Sequence, residues 1–319
     1  MAEATRVSFG RALARLGSDP RIVVLDADLA SSTNTKAFAD KYPERFFQVG
    51  IAEGNMVGMA AGLALAGKIP FAASFACFLA GRFEQIRVSV AYNRANVKLV
   101  GTHAGIGIGE DGYSQMGLED VALMRTLPNM VVVQPADAVE TEQAVEALVK
   151  HEGPAYLRVT RQKVADVSPA GYRFELGKAV VLREGRDLTV AASGAVVGHA
   201  LEAAKRLAAD GIDVAVVNVA TLKPLDAATL ADWGGRTGAV LTVEDHSIVG
   251  GLGSAVAEAL AETGIPVRRH GVRDFGESGT GEALYEKHQL DAAGITAQVR
   301  AFAADLRGSR RATGTGLPA

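Results

Sequence analysis

The sequence predicts an α/β protein of two doubly wound domains, and three observations carry that prediction. Short apolar, β-branched runs alternate with stretches of helical spacing along nearly the whole chain. Strands interleaved with helices of this length argue for a parallel sheet covered on both faces. Past the midpoint the alternation breaks at QKVADVSPAGYRFELGKA, and a second, smaller series follows.

Each element can be read in turn. VSFGRALARLG sets Val7, Ala12, Leu13 and Leu16 at the spacing of a surface helix. RIVVLDADL (21–29) is a buried strand that ends in two acids. TKAFADKY is helical, RFFQVG is a short strand and 53–66 is a helix. IPFAASFA is a strand and 79–93 a helix; VKLVGTH (97–103) is a strand, followed by the glycine-rich loop AGIGIGEDGYSQMG. Residues 118–127 are helical, and MVVVQPAD, AVETEQAVEALVK and AYLRVTR complete strand, helix and strand. The second series runs through DLTVAASG, GHALEAAKRLAADG, DVAVVNVATLKPLD, AVLTVEDH, GLGSAVAEALAETG and PVRRHGV. The expected division is a first domain over 1–170, a linker over 171–185, a second domain over 186–308 and a flexible polar tail over 309–319.

Composition narrows the function. With 319 residues, 48% hydrophobic and 22% charged, the chain has enough apolar material for two buried cores. A net charge of −3 and the lack of a basic stripe argue against nucleic acid. One cysteine, Cys77, rules out an internal disulfide and fits a reducing compartment. No signal-type leader and no apolar run of about 18 residues occur, so a soluble, cytoplasmic protein with no membrane contact is expected.

Nucleotide and metal motifs fail on spacing. GIGIGEDG and GGLGSA contain G-x-G, but neither has the full dinucleotide fingerprint, and no phosphate-loop pattern exists. The six histidines form no H-x-x-x-H pair, and no Cys/His cluster suggests a protein-only metal site. What remains is a set of polar residues at strand ends, where open α/β sheets bind ligands: Asp26, Asp28, Glu53, His103, Glu110, Asp111, Gln115 and Arg161. Glu53 stands alone at the mouth of VGIAEGNMVGMAAGLALAG, an Ala/Gly-rich apolar helix. Each residue also has a plain structural reading. Glu53 complements a helix dipole, Asp28 with Ser31 and Ser32 makes a cap or turn, and Arg161 makes a surface ion pair.

These residues lie in a longer pattern. DADLASST, RFFQVGIAEGNMVGMAAGLA, SFACFLAGRFEQIR, GTHAGIGIGEDGYSQMGLEDVALMRTLPNM, TLKPLD and VEDHSIVGGLGSAVAE resemble the C-terminal half of transketolase, a thiamine-diphosphate enzyme. The resemblance covers nearly the whole length, and THAGIGIGEDGYSQ is its most specific part. It implies a pyrimidine-binding domain followed by a transketolase C-terminal-like domain. It implies that Glu53 is the catalytic glutamate on the aminopyrimidine and that Phe75 and Phe78 line the ring pocket. Asp28 would lie near the thiazolium, and Gln115 would complete the cofactor contacts. Arg6, Ser32, His103 and Arg161 match the family's sugar-phosphate clamp, and Asp111 matches the acid on a donor hydroxyl. Glu244, Asp245 and His246 are read as structural or interface residues.

The family anchors the diphosphate through Mg²⁺ with a G-D-G…N pattern on another domain, and no G-D-G occurs here. The expectation is one subunit of a split transketolase. Its partner would be an N-terminal subunit carrying the diphosphate-binding domain and the Mg²⁺ or Ca²⁺, with two copies of each subunit. The implied reaction moves a two-carbon ketol unit from a ketose phosphate, xylulose 5-phosphate, to an aldose phosphate, ribose 5-phosphate. Three alternatives stand beside it: an unusual donor such as a branched pentulose phosphate; a 2-oxoacid dehydrogenase β subunit or deoxyxylulose-phosphate synthase-like enzyme; and a non-catalytic assembly subunit.

Overall fold

The computed structural model describes residues 2–313. Its strands are β1 (Glu3–Ala4), β2 (Ile22–Asp26), β3 (Phe46–Gln48), β4 (Ile69–Phe75), β5 (Lys98–Thr102), β6 (Val131–Val133), β7 (Ala155–Arg158) and β8 (Lys163–Val164). There follow β9 (Val180–Arg183), β10 (Leu188–Ala192), β11 (Val214–Asn218), β12 (Thr221–Lys223), β13 (Val240–Ser247) and β14 (Val267–Val272). Seven strands form one sheet in the order β12-β6-β7-β5-β4-β2-β3, and five form another in the order β14-β13-β10-β11-β9. Pairing is parallel in both, except where β12 meets β6 and β9 meets β11. The expected α/β class with parallel-sheet domains is therefore what forms.

The strand sequences explain the two covered faces. Along β2, Ile22 and Val24 point into one apolar cluster while Val23 and Leu25 point into another. The first cluster holds Phe9, Ala12 and Leu13 of helix Thr5–Leu16 and Ala144, Val145 and Leu148 of helix Ala138–Lys150. The second holds Met56, Val57 and Ala60 of helix Glu53–Leu65. It continues without a break into the second sheet and the helices of its series, through Val217, Trp233 and Leu252. A third cluster packs Val190, Val216 and Leu241 against Ala200, Ala204 and Leu207 of helix Val197–Ala209, and it also takes in Ile106 and Met116. Two of the three cores thus bind the sheets to each other, so the hydrophobic effect that folds each sheet also docks them.

Four segments differ from the sequence expectation. The 171–185 stretch expected to be a linker contains β9, an antiparallel edge strand. VATLKPLD, assigned to the second series, supplies β12 to the first sheet, antiparallel to β6. The expected helix over 79–93 breaks into Ala76–Ala80, Phe83–Gln85 and a wide π-type turn, Ile86–Tyr92. The last helix, Ala292–Thr313, runs into the expected tail, whose final residues 314–319 lie outside the described part. Among the described residues, no helix is long and apolar enough to cross a membrane.

Candidate functional site

The carboxyl edge of the seven-stranded sheet collects the predicted residues. Asp28 and Ser32 follow β2, Glu53 follows β3, Phe78 follows β4, His103 follows β5 and Arg161 follows β7; Phe75 ends β4 itself. Arg6 comes from the start of helix Thr5–Leu16. The Thr5 hydroxyl accepts the Thr160 N–H at 2.8 Å, and the Arg6 N–H reaches the Thr160 carbonyl at 3.3 Å. The chain's first helix is thereby pinned beside the end of β7.

Glu53 opens helix Glu53–Leu65 and is 4% exposed. Its carboxylate complements the positive helix terminus and accepts a hydrogen bond from the Ser74 hydroxyl at 3.0 Å. Phe75 and Phe78 stack with centroids 5.4 Å apart and planes within 5°. Phe75 is buried, whereas Phe78 is half-buried.

The His103 ring also stacks on Phe75, with ring centroids 3.9 Å apart. The Arg6 guanidinium, which has no acceptor function, approaches His103 Nε2 at 3.3 Å, so Nε2 must accept. The ring proton then lies on Nδ1 and is donated to Thr102 Oγ1 at 2.8 Å, and that hydroxyl passes its own hydrogen to the Ser74 carbonyl at 3.4 Å. Burial, and then the charges of Arg6 and Arg161, push the His103 pKa down to about 3, which agrees with this neutral tautomer. Arg6 Nη1 also donates to the Ser32 carbonyl. Burial and the nearby Arg161 charge lower the Arg6 pKa from its ordinary value. Arg6 Nε is buried with no hydrogen-bond partner among the described residues.

Asp111 and Arg161 pair at 3.1 Å on more exposed ground, and Arg161 also donates to the Ile108 carbonyl at 3.0 Å. A cleft of about 700 Å³ opens past Arg161 between the two sheets. Asp28 is exposed with φ +65°; its backbone N–H donates to the Gln48 amide oxygen at 2.5 Å. Gln115 is half-buried in the turn Tyr113–Gln115. The structure thus joins Arg6, Ser32 and His103 directly, Asp111 and Arg161 directly, and Glu53 to the aromatic pair through neighbouring residues of β4. Asp28 stands at the same edge, and the turn that carries Gln115 lies close to helix Ala76–Ala80, which carries Phe78. Asp28 and His103 both hold positive φ, +65° and +56°, a conformation non-glycine residues rarely keep unless their surroundings fix it.

Sequence reading did not single out Ser74, Thr102, Gln48 or Gln162. Their signal is position, immediately beside or within strand ends, but small hydroxyls and amides there are too common to stand out. Glu244, Asp245 and His246 do act inside the chain. Glu244 accepts the Leu252 and Gly253 N–H groups at 2.6 and 2.8 Å, which caps the next helix, and Asp245 accepts the Ile106 N–H at 2.8 Å. His246 Nε2 lies 3.4 Å from the Ala122 N–H.

The carboxyl edge of an open, largely parallel sheet in an α/β protein thus carries a buried acid, a stacked aromatic pair and a guanidinium–imidazole cluster. Residues 2–166 match the transketolase pyrimidine-binding domain and residues 177–295 the transketolase C-terminal domain, and the chain belongs to the transketolase family. A chain of Methanocaldococcus jannaschii, provisionally named a transketolase C-terminal section, is 45% identical over 92% of this chain and 94% of its own length. A Clostridium sp. protein named 6-deoxy-6-sulfo-D-fructose transketolase subunit SqwH is 46% identical over 86% of both. A solved structure described as a split-gene transketolase, an inactive β4 tetramer, superposes with a TM-score of 0.87 at 51% identity and covers 93% of this chain and 97% of its own. Human transketolase is 39% identical over 93% of this chain, which spans 48% of it.

Proposed function

We propose that this chain is the C-terminal subunit of a split, thiamine-diphosphate-dependent transketolase. It would move a two-carbon ketol unit from a ketose phosphate, xylulose 5-phosphate in the first instance, to an aldose phosphate such as ribose 5-phosphate. The observation that carries the reading is the Arg6–Ser32–His103 cluster beside the Arg161–Asp111 pair, on the same sheet edge as Glu53 and the stacked phenylalanines.

The residues fit the cofactor's ring end. A buried carboxylate with one hydroxyl donor has capacity left for a ring nitrogen, and Phe78 offers a partly open face to a flat heterocycle. When bound, thiamine diphosphate supplies the reactive carbon and the electron sink for ketol transfer. Glu53 would hold a proton at a ring nitrogen of the bound cofactor. Arg6, with its unpartnered buried Nε, and Arg161 hold the donor's anionic end; two guanidiniums suit a phosphate dianion. Asp111 orients a donor hydroxyl. The family's G-D-G pattern does not occur in the sequence, and on this reading Mg²⁺ or Ca²⁺ and the diphosphate would be held by an N-terminal partner subunit. The lengths of the M. jannaschii and Clostridium relatives support this division. Ile51, Leu65 and Tyr92 are 85%, 72% and 83% exposed, apolar surface that supports contact with another chain; the assembly proposed has two copies of each subunit.

A second reading follows from the SqwH relative: a donor with a terminal sulfonate in place of phosphate. A sulfonate is a monoanion with the same three-oxygen geometry, and the same cluster could hold it. The test is a donor screen with the reconstituted pair. The first reading expects the highest kcat/KM with xylulose 5-phosphate, and a preference for 6-deoxy-6-sulfofructose would replace it with the second. Preference for a branched pentulose phosphate, or pyruvate decarboxylation without ketol transfer, would overturn both.

A further inference from the structure

The loop over 104–118 carries Asp111 and Gln115, yet much of what holds it comes from the second domain. Asp245, at the end of β13, accepts the Ile106 N–H on one carboxylate oxygen at 2.8 Å and the Tyr285 hydroxyl on the other at 2.7 Å. The Tyr285 oxygen in turn accepts from Gln162 Nε2, and Gln162 directly follows Arg161. One buried carboxylate is therefore tied to both sides of the Asp111–Arg161 pair. It reaches the loop through Ile106, and it reaches the Arg161 segment through Tyr285 and Gln162.

The packing around this tie is close. Gly105 has φ +82°, and a Cβ there would lie 2.0 Å from Asp245 Oδ2. Further along, Gly112 has φ +76° and would place a Cβ 2.5 Å from Ser278 Oγ, while Tyr113 meets Phe275 edge-on with centroids 4.4 Å apart. The loop's shape is a mould of second-domain residues.

We infer that Asp245 and Tyr285 are positioning residues: they fix the spacing of Asp111 and Arg161 and so set how tightly the site grips the charged end of its sugar donor. This assignment rests on the substrate reading proposed above. The chemistry is specific to a carboxylate, because both oxygens accept. Asparagine keeps one acceptor and turns an NH₂ group toward the other donor. Removal of the Tyr285 hydroxyl takes a donor from Asp245 and an acceptor from Gln162.

Two variants test the inference, Asp245→Asn and Tyr285→Phe, the second guarding against a folding failure of the first. Hydrogen exchange on the full chain needs no activity, and it should show protection lost at amides over 105–112 while β4 and β5 keep theirs. In the reconstituted pair, KM for a phosphorylated donor should rise roughly tenfold, with kcat and the affinity for thiamine diphosphate within about twofold of the parent. Unchanged exchange over 105–112, a loosened loop with unchanged KM, or protection lost evenly across the chain would each overturn the positioning role. No ketol transfer by the parent pair overturns the substrate reading instead, and the exchange result then decides whether Asp245 fixes the loop.

Discussion

At the scale of single residues, His103 shows how surroundings set chemistry. Its neutral tautomer follows from the Arg6 donor on Nε2 and the Thr102 acceptor on Nδ1. The consequence for stability has a definite sign. A histidine whose folded pKa lies at about 3, below its unfolded value near 6.5, binds fewer protons folded than unfolded over that interval. Stability is then fully present above pH 6.5 and falls as the pH drops toward 3. His103→Gln removes this dependence. The stability difference between parent and variant should shrink by about 2 kcal/mol between pH 7.5 and pH 5, measured by denaturant unfolding. A difference that stays flat over that range would contradict the buried neutral imidazole. The candidate residues themselves were legible in the sequence because they stand at strand ends in family-like motifs. The tautomer and the Ser74–Glu53 bond were not, because they depend on which strands become neighbours.

At the scale of elements, the helix Asp120–Thr126 and β7 meet through a buried pair. Arg158 Nε donates to Asp120 at 2.8 Å, the Tyr156 hydroxyl donates to the same oxygen at 2.7 Å, and Arg158 Nη2 donates to the Gly117 carbonyl at 2.7 Å. Burial alone would raise the Asp120 pKa, but the charges of Arg158 and His246 outweigh it and hold the carboxylate below its usual range. Asp120→Ala leaves a guanidinium uncompensated at 2% exposure and should cost about 3–5 kcal/mol. A lower urea midpoint with an unchanged m-value is the expected readout, and a loss under about 1 kcal/mol would show that the pair is relaxed or hydrated. Elements that follow local periodicity, such as Glu53–Leu65 and Ala138–Lys150, were readable in the sequence. β9 and β12 were not. β9 is a half-buried edge strand beside a polar stretch, and β12 belongs by sequence to one series and by pairing to the other sheet. Only the docked arrangement assigns them.

At the scale of the whole molecule, a shared apolar core and buried polar ties make the two sheets one unit. The second domain lies against the loop that borders the candidate site, so its contribution extends to the shape of that site. Under the proposed division of labour, the unit holds only the ring end of an active centre, and a partner completes it. The direct measurement is ketol transfer while a fixed amount of this chain is titrated with a polypeptide bearing the diphosphate-binding domain, at saturating thiamine diphosphate and Mg²⁺. Activity should be absent without the partner and rise to a break at equal amounts of the two chains, and Glu53→Gln should lower the plateau roughly a hundredfold or more without moving the break. Full turnover by this chain alone, or a Glu53→Gln plateau equal to the parent's, would contradict that division.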